Sequence, residues 1–292
     1  MPSKTSKLTH AHRFEAIGTH WSIETDRSLS SDLKEKIDKC IRDFDVIYSR
    51  FRDDSVVAKM SVVAGEYDVG ADSSKLVLLY KKLYNATKGA VTPWIGEGMV
   101  AGGYDKNYSL VPSSPIPAPK WDDDIKWRGR TIVTKKPVIL DVGAAGKGLL
   151  VDKIAVILQN EGIDNFVVDA SGDICCRGNE SQTIGLENPY DSKKVIGSID
   201  ISNASLCASA SNRRRWADGW HHVLDGRTGI STNEVAATWV VAKTAMVADG
   251  LATALFFVDG KRLSSVADFQ FVRLMSNGKI QKSDNFVGQL YI

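Results

Sequence analysis

No uninterrupted apolar run in this chain approaches the ~20 residues that a helix needs to cross a bilayer, and nothing reads as a transmembrane span. Charge of one sign is lacking too: 37 Lys and Arg stand against 35 Asp and Glu, net +2. That speaks against a broad nucleic-acid surface, which needs a clustered excess of Lys and Arg; a small anion held by a local arrangement stays open. Cysteine is scarce. Cys40, Cys175, Cys176 and Cys207 are the four among 292 residues, with no CxxC and no Cys/His cluster of zinc spacing. A disulfide scaffold is therefore excluded. Cys175 and Cys176, inside an apolar strand-like run, read as buried free thiols suited to a reducing compartment. The first residues are polar and basic without an apolar h-region, so the expectation is a cytoplasmic protein, with an exported form trimmed of its leader as the alternative. Internal repeats and low-complexity tracts are missing as well.

What is present is ordinary for a soluble globular protein: 43% of the residues are apolar and 25% charged. The length suits one large domain or two small ones, with ample core. Residues 1–13 read as a flexible tail. Residues 14–25 alternate as a strand broken at Gly18-Thr19. Leu33, Ile37, Ile41, Phe44 and Tyr48 predict a helix over 32–48, with Ser30 or Ser31 as N-cap. Leu76, Leu79, Tyr80 and Leu83 predict another over 73–87, stopped at Lys88-Gly89. Residues 93–136 hold Pro93, Pro112, Pro115, Pro117, Pro119 and the run Asp122-Asp123-Asp124, which predicts a long irregular segment with one or two short strands. A strand over 138–142 leads through glycines into a helix over 150–160. Strands follow over 165–170, just after Asp173, over 195–201 and over 236–242, then an apolar helix over 244–258 and weak terminal edge strands. Helices and strands mix without strict βαβ alternation, so the fold class is α+β.

Four segments carry candidate chemistry. Leu140-Asp-Val-Gly-Ala-Ala-Gly-Lys-Gly148 ends a strand at an acid and opens a helix through glycines. Such amides suit phosphate oxygens, and Lys147 adds a point charge. The spacing is neither Walker A nor GxGxxG, and a tight turn with a surface lysine explains it equally well. In Thr244-Ala-Met-Val-Ala-Asp-Gly-Leu-Ala-Thr253, Asp249 and Thr253 share one face of an apolar helix. Hard oxygen donors there suit Mg²⁺ or Ca²⁺; an Asp249 paired with an arginine is the simpler reading. In His221-His222-Val-Leu-Asp-Gly-Arg-Thr-Gly229, adjacent histidines on a strand point to opposite faces, so at most one faces a pocket as a proton carrier. Asp169-Ala-Ser-Gly-Asp173 sets two carboxylates across a glycine turn, or forms an Asx turn. Ser209, Ser211 and Arg213-Arg214-Arg215 suit an anionic partner or a solvated loop.

The order of these segments resembles the ApbE-type FAD:protein FMN transferases over nearly the whole chain. Ile17-Gly-Thr19, Ser49-Arg-Phe-Arg-Asp-Asp-Ser55, Lys88-Gly-Ala-Val-Thr-Pro-Trp94, Leu140 to Gly148 with Val151-Asp152, Val168-Asp-Ala-Ser-Gly-Asp173, His222 to Gly229 and Ala248 to Thr253 are each similar to a family element. The resemblance implies an ApbE/T-fold-like α+β domain over 14–292, with mixed sheets, packed helices and two subregions around the FAD site. It implies Mg²⁺-dependent transfer of FMN from FAD to a Thr or Ser hydroxyl of an acceptor flavoprotein, with AMP released. Acceptors in this system resemble subunits of sodium-pumping quinone reductases, electron-transport complexes or fumarate reductases. By resemblance, Asp249 and Thr253 hold the metal with backbone oxygens at Ala144 and Ala252. Ile17, Phe51, Ala90, Val91, Thr92, Asp141, Lys147 and Leu224 bind FAD, with Phe51 a stacking residue. His222 is the general base. The chain departs from the pattern at Thr92, where the family has an acid, at Gly226, where it has proline, and at Phe51, where it often has tyrosine. An FAD pyrophosphatase and a non-catalytic FAD-binding module are the alternatives.

Overall fold

The computed structural model describes residues 8–121, 124–212, 215–217 and 219–291. Residues 1–7, Asp122, Asp123, Arg213, Arg214, Asp218 and Ile292 lie outside the described residues, and with them parts of the expected tail, the acidic run and the arginine run. The frame is an eight-stranded sheet in which spatial order follows chain order. Its strands are β1 (His10–Ala16), β2 (Thr19–Thr25), β3 (Phe166–Asp169), β4 (Asp173–Arg177), β5 (Ser205–Ala210), β6 (Val235–Ala242), β7 (Phe269–Met275) and β8 (Ile280–Lys282). Every pairing in it is antiparallel. The α+β class holds, with antiparallel sheets in place of the mixed ones expected. β1 starts at His10, inside the stretch read as a tail, and pairs with β2 along its full length.

Period-two alternation puts a different core on each face of this sheet. Among the helices are α1 (Ser31–Tyr48), α2 (Ser73–Thr87), α3 (Gly96–Ala101), α4 (Gly146–Asn160) and α5 (Ala245–Ala254), and Val168, Cys175, Cys207 and Val240 point to the core shared by α1, α2, α4 and α5. Cys176, Leu206 and Trp239 point the other way, against Leu186 and Ile199 of a smaller three-stranded sheet and Phe286 of the loop before its last strand. The two neighbouring thiols are thus buried on opposite faces, free and without a disulfide. α1 follows its predicted periodicity: the Ser30 hydroxyl accepts the Leu33 amide at 3.2 Å, and Leu33, Ile37, Phe44 and Tyr48 are buried. α2 ends on Lys88 in the left-handed region, as the Lys88-Gly89 stop implied.

Several elements differ from the sequence reading. Residues 138–142 form no strand. The Val138 amide donates to the carbonyl of Met60, the last residue of the short helix Val56–Met60, and the Asp141 amide to the Pro93 carbonyl in a turn, so extended chain there bonds to a helix end and a turn instead of a ladder. α4 begins at Gly146, so its glycines lie in the first turn. A Cβ on Gly148 would sit 2.3 Å from the Ala245 carbonyl oxygen, so only glycine lets α4 and α5 meet there. β5, Ser205-Leu-Cys-Ala-Ser-Ala210, carries too little apolar signal to be read as a strand. Within 93–136, α3 and the strands Ile125–Arg128 and Thr131–Thr134 supply order. Both strands join Gly65–Asp68 in a three-stranded sheet, and Trp94 packs on Trp121 and Trp127. Among the described residues no helix is long and apolar enough to cross a membrane.

Candidate active site

A cleft of about 780 Å³ opens between the helices and the sheet. Ile17, Phe51, Ala90 to Thr92, Asp141, Ala144, Lys147, His222, Leu224, Asp249 and Thr253 all line it. Ala252 does not. It is fully buried, and its carbonyl accepts the Thr238 hydroxyl at 2.8 Å, so that oxygen faces β6 and not the cleft.

Each wall is set by an element end. Ile17 and Gly18 are the two central residues of the β1–β2 turn, both with positive φ (45° and 74°), the geometry that matches the twist of paired strands. A β-branched residue there carries strain of about 1–2 kcal/mol, held at the cleft rim. Ala90 to Thr92 follow the left-handed end of α2. Asp141 to Lys147 make the turn into α4, where Asp141 Oδ1 accepts the Gly143 amide at 2.7 Å. Leu224 precedes the Asp225–Gly229 turn, in which the Asp225 carboxylate accepts the Arg227 amide and the Asp225 carbonyl accepts the Gly229 amide.

The electrostatic centre lies where α4, α5 and β4 meet. Asp249 Oδ2 accepts the Gly148 amide at 2.9 Å, and the side chain is buried. Lys147 Nζ lies 2.5 Å from Asp173 and donates to the Ala170 carbonyl at 2.9 Å. Burial and the charge of Asp173 push the Asp249 carboxyl well above the usual carboxylate range, only partly offset by Lys147 and the Gly148 amide. Burial works against the Lys147 ammonium, but Asp173 and Asp249 outweigh it and raise its pKa. Asp152 does not face the cleft: its carboxylate accepts the Ala245 and Met246 amides at 2.8 and 2.9 Å and caps α5.

Two buried carboxylates share one ammonium, so ionising the second carries a cost that a cation beside it would offset. Among the described residues no three His, Cys, Asp or Glu side chains form a metal-holding group. Mg²⁺ is commonly bound through one or two carboxylates together with substrate phosphates, so one acid with a hydroxyl and a carbonyl fits it.

The two histidines divide at the end of the two-residue strand Trp220–His221, where the chain bends at His222. His222 lines the cleft. His221 is 1% exposed; its Nδ1 accepts the Val223 amide at 3.2 Å, so its Nε2 carries the proton donated to the Thr232 carbonyl. Burial holds the His221 pKa below its ordinary value. The unfolded chain therefore takes up a proton that the folded chain resists, and this contribution to stability falls as pH drops below about 6.5. We expect the melting temperature of the wild type to fall between pH 7 and 5, and His221→Gln to flatten that fall.

The departures at Thr92 and Gly226 touch each other. A Cβ on Gly226 would lie 2.6 Å from Thr92 Cγ2 and 2.7 Å from the Gly89 carbonyl, and the Gly226 amide donates to the Ala90 carbonyl at 2.8 Å. Proline has neither the room nor the N–H. Gly226→Pro should cost on the order of 3 kcal/mol, read as a lowered denaturation midpoint.

Sequence reasoning missed Arg50, Tyr104 and Tyr108, which also line the cleft. Phe51 and Tyr108 lie parallel, 5.2 Å apart, and both meet Tyr104 edge-on. Their one available signal was the position of Arg50 beside Phe51.

A cleft of this volume, lined by both an aromatic cluster and a lysine–carboxylate centre, defines a nucleotide-sized small-molecule site on an α+β scaffold. Residues 17–273 match the model of the ApbE family, and the chain belongs to that family. It is 25% identical over 257 residues to a Vibrio cholerae protein named FAD:protein FMN transferase, covering 82% of this chain and 77% of that one. A Klebsiella pneumoniae protein of the same name is 24% identical over 277 residues, covering 86% and 79%. Among solved structures, the ApbE protein of Thermotoga maritima superposes with a TM-score of 0.80 at 23% identity, covering 95% of this chain and 97% of that one. The flavin transferase ApbE of Vibrio cholerae gives 0.75 at 21%, covering 94% and 96%.

Proposed function

We propose that this protein is an FAD:protein FMN transferase: it moves the FMN half of FAD onto a Thr or Ser hydroxyl of an acceptor flavoprotein and releases AMP. The observation that carries this reading is the convergence of FAD-site, metal-site and general-base candidates, far apart in sequence, on one cleft. Membership of a family with relatives of that name supports it.

In this reading Phe51 and Ile17 hold ring surface, Asp141 accepts from a donor of the dinucleotide, and Lys147 lies near the pyrophosphate. Asp249, Thr253 and the Ala144 carbonyl would hold Mg²⁺, which when bound supplies charge neutralisation at the phosphates. Ala252 drops out of the set, because its carbonyl is bonded to Thr238. His222 takes the proton of the acceptor hydroxyl. That oxygen forms a bond to the FMN phosphorus, the bond from this phosphorus to the bridging oxygen breaks, and AMP leaves with that oxygen.

Chromatography of FAD, FMN and AMP after incubation with the protein and Mg²⁺, with and without an acceptor domain, tests the proposal. AMP release that depends on acceptor, without free FMN, is expected. Free FMN and AMP in equal amounts without acceptor would instead define a pyrophosphatase, and intact FAD throughout a binding module.

A further inference from the structure

Arg50 is an internal residue: its side chain is 5% exposed and that of its partner Asp141 15%. Its Nε donates to Asp141 Oδ2 at 2.7 Å, and its Nη1 donates to the Tyr104 carbonyl at 2.5 Å. Its guanidinium carbon lies 4.3 Å from the centre of the Phe51 ring and 4.7 Å from that of Tyr104. Nη2 is enclosed and has no hydrogen-bond partner among the described residues.

One planar cation thus ties together three walls of the cleft that are distant in sequence: the turn into α4, the loop after α1 and the loop after α3. With Gly143 on Oδ1 and Arg50 on Oδ2, both oxygens of Asp141 are fixed in direction. A lysine cannot reproduce this, since one ammonium does not span a carboxylate and a carbonyl while resting against two rings. Nor does stability account for it. A buried ion pair gains little over apolar packing, and an enclosed N–H without an acceptor costs free energy.

We infer that Arg50 is a positioning residue for FAD: it aligns Asp141 and offsets its charge, so that the carboxylate accepts from an N–H or O–H of the dinucleotide without repelling its pyrophosphate. The inference rests on the proposed function. Arg50 then sets how tightly FAD is held and leaves the transfer step alone.

The test is a double-mutant cycle on FAD affinity, read by flavin fluorescence in EDTA without acceptor, beside kcat at saturating FAD. Arg50→Gln and Asp141→Asn should each weaken FAD binding about tenfold, and the double variant no more than about threefold beyond the weaker single. Arg50→Lys should fall between wild type and Arg50→Gln, and kcat should stay within about twofold in the Arg50 variants. If Arg50→Gln fails to fold, Arg50→Lys in the wild-type and Asp141→Asn backgrounds closes the same cycle. Multiplying effects near a hundredfold, unchanged affinity in Arg50→Gln, or a loss confined to kcat would overturn the inference. A wild type that binds no FAD would overturn the functional proposal itself, and this inference with it.

Discussion

Asp249→Asn is expected to lower FMN transfer by at least about a thousandfold, or roughly 4 kcal/mol of transition-state stabilisation, while the protein stays folded. Asparagine keeps an oxygen for the Gly148 amide, which alanine would leave buried and unmet at a cost of about 1–3 kcal/mol. It also removes a carboxyl whose ionisation burial and Asp173 both oppose. The melting temperature in EDTA should therefore hold or rise as activity disappears. That opposite movement separates a functional acid from a structural one. Transfer within tenfold of wild type would remove Asp249 from the metal site.

His222→Gln should reduce transfer by about 10²–10⁴-fold, the range a positioned proton acceptor contributes, with FAD affinity within about twofold. The neighbouring His221 supplies the control. Its two ring nitrogens are committed to Val223 and Thr232 inside the protein, so His221→Gln should cost stability and leave transfer per folded molecule largely intact. Rates at saturating FAD and acceptor, with melting curves for both variants, distinguish the two roles. Equal losses of activity at 221 and 222 would contradict the assignment.

The lining of the cleft was more legible than several of the elements that carry it. Asp141, Lys147, His222, Asp249 and Thr253 lie in short motifs whose order resembles that of a family, and all five line one cleft. The α1 and α2 periodicities were legible for the same local reason. Residues 138–142 alternate like a strand because they are extended and half-buried, but their partners are a helix end and a turn, which no periodicity records. β5 is small side chains between β4 and β6, and its strand character comes from those neighbours. Ala252 lies one helical turn from Asp249, yet the direction of its carbonyl is fixed by Thr238 on another strand. Arg50 has its meaning from Asp141, 91 residues away, and Tyr104 and Tyr108 belong to the irregular segment, where no pattern marks a side chain as facing a ligand.

The most direct measurement is the intact mass of an acceptor domain, of the sodium-pumping quinone reductase type, after incubation with this protein, FAD and Mg²⁺, beside an EDTA control. A gain of one FMN that requires Mg²⁺, maps to a Thr or Ser and is lost with Asp249→Asn is the expected result. An acceptor of unchanged mass beside FMN and AMP free in solution would contradict it.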